Sequence, residues 1–315
     1  MSKWIKSILI TLIFFLCALV IWHFNIKIIL ADFYFRKALL ARGKNNWPES
    51  LKYFKETLKI EPNESFYRQR FSTDLMWAVN DFYKTKTSKI KILNLAIKNI
   101  DLIPEKERRF EAKINQAKMY SEKANLTQKK EDFKKAETAF QKLVTISPKM
   151  ARIYNNWCQL KIYEKEWEKA KKMCQKAWYL YPSIYNKEMN EQHRTAVILE
   201  MSEVYEKLGE IYKNLNNYKK AEEMYKQVLK FFPKRKSYLY KKIADLYFLK
   251  GDLDKAIDYN QHGFALNQND SVWPFSIALL YQIKGDLKMA KFYAEKALEI
   301  NPNDKEIKEF LEKIK

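Results

Sequence analysis

The chain has 315 residues, with 59 Lys and Arg against 38 Asp and Glu, and a formal net charge of +21. Only 5 Gly and 8 Pro are spread over that length, too few for the many turns of an all-β protein. An aromatic content of 15% supplies ample core material and excludes wholesale disorder.

The basic excess is mostly Lys interleaved with Glu, without an Arg cluster. It reads as solvated helical faces, and nucleic acid is not an expected partner. The three cysteines, Cys17, Cys158 and Cys174, have no CxxC spacing and imply neither a disulfide framework nor a zinc site.

The first predicted element lies in MSKWIKSILITLIFFLCALVIWHFNIK. After Lys3 and Lys6, no Asp, Glu, Lys or Arg occurs from Ser7 to Asn25. Its apolar part, Ile8 to Phe24, would rise roughly 25 Å as a helix, enough for a thin or locally thinned bilayer. Trp4 and Trp22 bracket it as membrane-interface anchors.

A cleaved signal peptide would have a shorter apolar region and a small-x-small site, which IWHFNIKIIL does not offer. Leu16 ahead of Cys17 argues against a lipoprotein attachment. The expectation is a basic N-tail over 1–6 and an uncleaved, single-pass transmembrane anchor over 7–25. Lys3 and Lys6 favour a cytoplasmic N-terminus with the large domain outside, although Lys27, Arg36 and Lys37 stand on the other side. With no Gly or Pro before Gly43, one near-continuous helix should run from the anchor into the next helix of the chain.

Beyond residue 30 the predicted elements come as helix pairs. From 31 to 148 the period is blurred. Ala31–Pro62 carries Trp47, Ser50, Phe54 and Pro62; Ser65–Pro104 has an inserted KTKTSK; Glu105–Pro148 has an overlong first helix before KKAETAFQKLVTISP. Over 151–302 the period sharpens. Ala136 and Ala170 are 34 apart, as are Ala256 and Ala290, and Ala221 precedes Ala256 by 35. Three residues before these alanines stand Phe133, Trp167, Tyr218, Leu253 and Leu287. After most of them come Pro148, Pro182, Pro233 and Pro302. From Ala170 to Ala221 the spacing is 51, and the surplus, about 183–201, predicts a long first helix or an extra one. Over 303–315, Ile307, Phe310, Leu311 and Ile314 fall at i, i+3, i+4 and i+7, the mark of an amphipathic capping helix.

This pattern resembles the tetratricopeptide repeat, a 34-residue helix–turn–helix unit. Ala256 and Ala290 would sit where the paired helices cross closely, Ala177 and Ala297 would admit the next unit, and proline would end the second helix. The resemblance is specific in Ala151–Pro182, Ser202–Pro233, Ser237–Gln268 and Ser271–Pro302. It departs at Gln268, which replaces a proline, and at Lys37 and Ala41, which occupy slots usually large and apolar. It implies an all-α, right-handed α-solenoid of about seven helix pairs, with the transmembrane helix before it and the capping helix after it.

The family binds protein or peptide partners on the concave face lined by first helices. The matching positions are Tyr238, Lys241, Asp245 and Phe248, then Val272, Phe275 and Leu279, with Glu203, Glu206 and Glu210 in the repeat before. An apolar patch beside an acidic one suits an extended or helical peptide with apolar anchors and a basic end. The same aromatics could instead fill the inner curvature or meet the capping helix. Asn155 and Asn156 echo a carboxylate clamp, but Glu203 and Tyr238 stand where that clamp needs other residues. Cys158 and Cys174 fall in facing small-residue slots, where reduced fillers and a bridge both remain open.

Narrower still, Ala31–Gln69 looks like the segment after the last membrane helix of some bacterial O-antigen ligase/polymerase-type proteins. That implies, as an alternative, an accessory or detached tail of envelope-polysaccharide polymerisation or ligation machinery. His23, His193 and His262 lack metal spacing, and no G-x-G-x-x-G, P-loop or G-x-S-x-G occurs. No enzymatic activity, cofactor or metal is expected. The reading is a membrane-anchored scaffold for protein–protein interactions in the cell envelope.

Overall fold

The computed structural model describes residues 3–22, 26–184, 190–232 and 238–314. All regular structure among them is helical, comprising sixteen α-helices and a 3-10 turn at Glu105–Glu107. The chain divides into two compact units, Met1–Pro148 and Lys149–Lys315.

Unit 1 opens with α1 (Lys3–Ile21), whose side chains from Ser7 onward are exposed. Three hairpins come next: α2 (Lys27–Gly43) on α3 (Trp47–Ile60), α4 (Ser65–Asp81) on α5 (Lys86–Asp101), and α6 (Phe110–Thr127) on α7 (Lys130–Ile146). Phe35, Phe54, Phe71, Leu75, Leu93 and Met119 form the core. The Phe54 and Phe71 rings stack at 4.8 Å. Ala31, Ala38 and Ala96 are wholly buried and let the helices approach. Lys37 fits its apolar slot because its Nζ lies 4.4 Å from the Phe33 ring centroid and 5.5 Å from that of Tyr53.

The expected transmembrane helix is not found. Among the described residues no helix is long and apolar enough to cross a membrane. Within the described residues α1 spans Lys3–Ile21, and its apolar part from Ile8 rises about 20 Å. His23, Phe24 and Asn25, and with them the continuity of α1 into α2, lie outside the described residues.

Unit 2 contains α8 (Ala151–Tyr163) on α9 (Trp167–Ile184), α10 (Glu191–Asn214) on α11 (Tyr218–Phe231), and α12 (Tyr238–Leu249) on α13 (Leu253–Leu266). After these come α14 (Val272–Lys284) on α15 (Leu287–Ile300), and α16 (Lys305–Lys313). Most of the surplus between Ala170 and Ala221 goes into a long first helix, since α10 has 24 residues. Pro182 does not end its helix, because α9 runs on to Ile184.

Ala170, Ala177, Ala221, Ala256, Ala290 and Ala297 are all fully buried at the crossings. At the position of Ala297 one period earlier stands Gly263, where a Cβ would lie 2.1 Å from the Trp273 ring. A large side chain on α14 is thus admitted by the smallest residue on α13. Stacked tyrosines recur at the same period, Tyr247 on Tyr259 and Tyr281 on Tyr293. The helix α16 buries Ile307 and Phe310 against Ala294 and Ala297 and closes the end of the unit.

Cys158 on α8 and Cys174 on α9 are joined as a disulfide, with Cα atoms 5.2 Å apart. Two small side chains in facing slots draw the axes close enough to bring the pair inside bridging range. Cys17 is free and exposed.

Candidate functional site

The helices α12 and α14 bound a hollow of about 320 Å³, with α13 contributing Asn260 to its lining. From α12 come Lys241, Asp245 and Phe248, and from α14 come Ser276, Leu279 and Ile283. Phe248 is 46% exposed, Leu279 37% and Ile283 57%, so the hollow offers apolar surface to solvent. Lys241 Nζ lies 2.9 Å from Asp245 Oδ1, which leaves this edge of the hollow near neutral.

Asn260 is 1% exposed. Its Nδ2 donates to the Ala256 carbonyl at 2.8 Å, while its Oδ1 has no hydrogen-bond partner. A buried acceptor left unmatched costs about 1–3 kcal/mol, and this one lies shielded beneath the hollow.

Four of the expected groove residues, Lys241, Asp245, Phe248 and Leu279, therefore come together. The others are placed elsewhere. Phe275 points to the cap, its ring 5.5 Å from that of Phe310. Val272 is exposed in the first turn of α14 and does not line the hollow. The Tyr238 hydroxyl donates to Glu206 Oε2 at 2.5 Å, and Lys242 Nζ lies 3.6 Å from the same carboxylate. Burial, then the Glu206 carboxylate, pushes the Tyr238 hydroxyl well above its ordinary value. Glu210 and Glu206 raise the Tyr225 hydroxyl too, after burial, which dominates. Glu203 is exposed and receives a long contact of 3.5 Å from Asn155 Nδ2. Of the acidic patch, Glu206 is thus engaged with its own neighbours, while Glu203 stays open to solvent.

Asn155, which echoed a carboxylate clamp, is committed internally. Its Oδ1 accepts from Lys207 Nζ at 2.7 Å, and its Nδ2 lies 3.5 Å from the Tyr181 hydroxyl. On the other side of α12, the Tyr247 hydroxyl donates to Glu222 Oε1 at 2.8 Å. Burial, with that carboxylate beside it, pushes Tyr247 up to about 12. His193 is exposed, and so is His262, 3.7 Å from Asp258. His23 lies outside the described residues. Among those described, no cluster of His, Cys, Asp and Glu could hold a metal ion. Trp4 and Trp22 stand exposed near the two ends of α1.

Sequence reasoning missed Asn260, Ser276 and Ile283. For Asn260 a signal existed. It stands four residues after Ala256, where the other second helices carry Phe140, Cys174, Tyr225 and Ala294, so a polar side chain falls on a buried face.

The tetratricopeptide-repeat family model matches residues 117–150, 202–235 and 275–304, and these stretches are tetratricopeptide repeats. The chain is similar in structure to a tetratricopeptide repeat protein from Parabacteroides merdae. They are 16% identical, with 90% of this chain and 98% of that one covered, at a TM-score of 0.54. It is also similar to BtubC (BKLC) from P. vanneervenii, 17% identical, over 70% of this chain and 92% of that one, at a TM-score of 0.53. At these identities the likeness is one of fold alone. No curated protein matches the chain. These matches lend no support to the resemblance to O-antigen ligase/polymerase-type proteins.

Proposed function

We propose that this tetratricopeptide-repeat chain is a protein-binding scaffold that takes an extended peptide into the hollow between α12 and α14. The observation that carries this reading is the exposed apolar surface that Phe248, Leu279 and Ile283 present around the hollow. An apolar side chain of an extended segment settles between Phe248, Leu279 and Ile283. Panning a peptide library on the full chain should return sequences with an apolar anchor. Leu279→Ser and Phe248→Ser should then weaken a recovered peptide about tenfold or more with melting nearly unchanged. Recovered peptides that bind both variants as well as the parent would overturn the reading.

A second observation favours attachment to a lipid surface. The helix α1 is apolar on every side, and its side chains from Ser7 to Ile21 are all exposed. In this reading α1 embeds in the outer part of a bilayer and holds the scaffold there. The bridge between Cys158 and Cys174 supports a location for unit 2 on the oxidising side, in the cell envelope. Full-length protein should float with lipid vesicles, and a chain lacking residues 3–21 should not. Full-length protein that stays at the bottom of the gradient would rule this out.

A further inference from the structure

We propose that unit 1 carries a second binding surface, for an acidic segment of a partner protein. It is independent of the α12–α14 hollow. A hollow of about 540 Å³ lies among the end of α5, the turn after it, α6 and α7. That size is within the range of real ligand sites. Leu143 and Ala139 contribute an apolar lining, and Ile146 at the end of the row is 54% exposed.

The charges around this hollow are unequally committed. Asp101 is occupied by neutral donors, accepting from Gln116 Nε2 at 2.6 Å and from the Tyr120 hydroxyl at 3.3 Å. Arg108 is held by the carbonyls of Ile103 and Asp101 at 2.8 and 3.2 Å. By contrast Lys113, Lys134, Lys135 and Lys142 make no ion pair among the described residues, although nearby Lys123 pairs with Asp132 at 3.4 Å. Four ammonium groups without an ion pair among the described residues therefore line one concave, partly apolar surface, although Lys135 also acts electrostatically on Asp132.

Their spacing suits a peptide. From Lys134 to Lys142 the helix advances roughly 12 Å, which about four residues of extended chain would match. The exposed Ile146 supplies a contact for an apolar residue next to the carboxylates. A nucleic acid fits less well. Glu105 and Glu131 also line the hollow, so a mixed acidic and apolar segment can set its carboxylates away from them, whereas an unbroken phosphate backbone cannot. Tyr120, the one aromatic side chain lining the hollow, is half-buried with its hydroxyl bonded to Asp101, so no free ring face stacks a base.

The test uses the full-length chain in mild detergent and three fluorescein-labelled probes. One is a ten-residue Glu/Asp peptide containing two leucines, the second its Gln/Asn counterpart, the third a ten-nucleotide oligo-dT. The acidic peptide should bind, weaken several-fold between 50 and 200 mM salt, and exceed its neutral counterpart about tenfold. Exchanging Lys134, Lys135 and Lys142 together for Glu should cost about tenfold or more in affinity without moving the melting curve, because all three are exposed. Ile146→Ser should weaken the same peptide with no change in charge. Exchanging the exposed Lys288, Lys305 and Lys308 of unit 2 for Glu should leave it unchanged. An equal loss in that control, unaltered binding by the unit 1 variant, or tighter binding of oligo-dT than of the acidic peptide would each overturn the proposal.

Discussion

In six of the seven turns between paired helices, all but that between α4 and α5, stands a residue with positive φ. Among the described residues these are Asn45, Gln128, Lys165, Asn216, Gly251 and Gly285. Four of these turns lead directly into Asn46, Asn217, Asp252 or Asp286, whose side chains accept from the backbone N–H three residues on. The recurring Gly-Asp phrase in the sequence is thus a left-handed residue with an N-cap behind it, and Asn-Asn performs the same task less well. At Gln128 and Lys165, both exposed, the side chain does not favour the conformation, and helix-ending hydrogen bonds impose it, from Gln128 N–H to the Ala124 carbonyl at 2.8 Å and from Lys165 N–H to the Ile162 carbonyl at 2.9 Å. Lys165→Gly and Gln128→Gly should therefore each raise stability by up to about 1 kcal/mol, since relief of the left-handed strain exceeds the added chain entropy. The measurement is the urea midpoint at unchanged slope, and a midpoint that falls would show that strain is absent there.

On α14, Phe275 and Leu279 are four residues apart, and helical periodicity alone puts both on one face. The structure separates them. Phe275 meets Phe310 of α16 edge-on at 5.5 Å, and Leu279 lines the open hollow. Phe275→Ala and Phe310→Ala should each cost about 3 kcal/mol, with a double variant clearly less than additive because the two rings share one contact. Leu279→Ser should cost far less. Denaturation of the four proteins checks this, and strictly additive losses would mean the ring contact contributes nothing of its own. The capping helix itself was legible from Ile307, Phe310, Leu311 and Ile314. Its capture of Phe275 was not, because a period states which face is apolar and not which neighbour covers it.

Each compact unit has its own core, and repeats touch mainly their immediate neighbours. Unfolding should accordingly proceed in two steps. The bridge between Cys158 and Cys174 closes a loop of 16 residues in unit 2, which stabilises by about 3 kcal/mol in the chain-entropy account. A reductant should lower the transition that belongs to Lys149–Lys315 and leave the other in place. Calorimetry with and without dithiothreitol, alongside the separate 149–315 fragment, assigns the two. A single transition, or a reductant effect on both, would contradict this.

Helix pairing, the period of 34, the buried alanines and the amphipathic tail all arise from local spacing and can be read from residue order. Short-range periodicity and small residues act through neighbours within one or two helical turns, so one sequence displays them in full. What the tertiary structure alone decided depends on which side chains meet across elements. It placed Cys158 and Cys174 within bridging distance, gave Asn155 to Lys207, and left Asn260 unmatched in a hollow made by three helices. It also set four lysines that make no ion pair among the described residues around one concavity in unit 1. Those outcomes turn on ångström-scale approach between helix faces, and no spacing along a single chain encodes such distances directly.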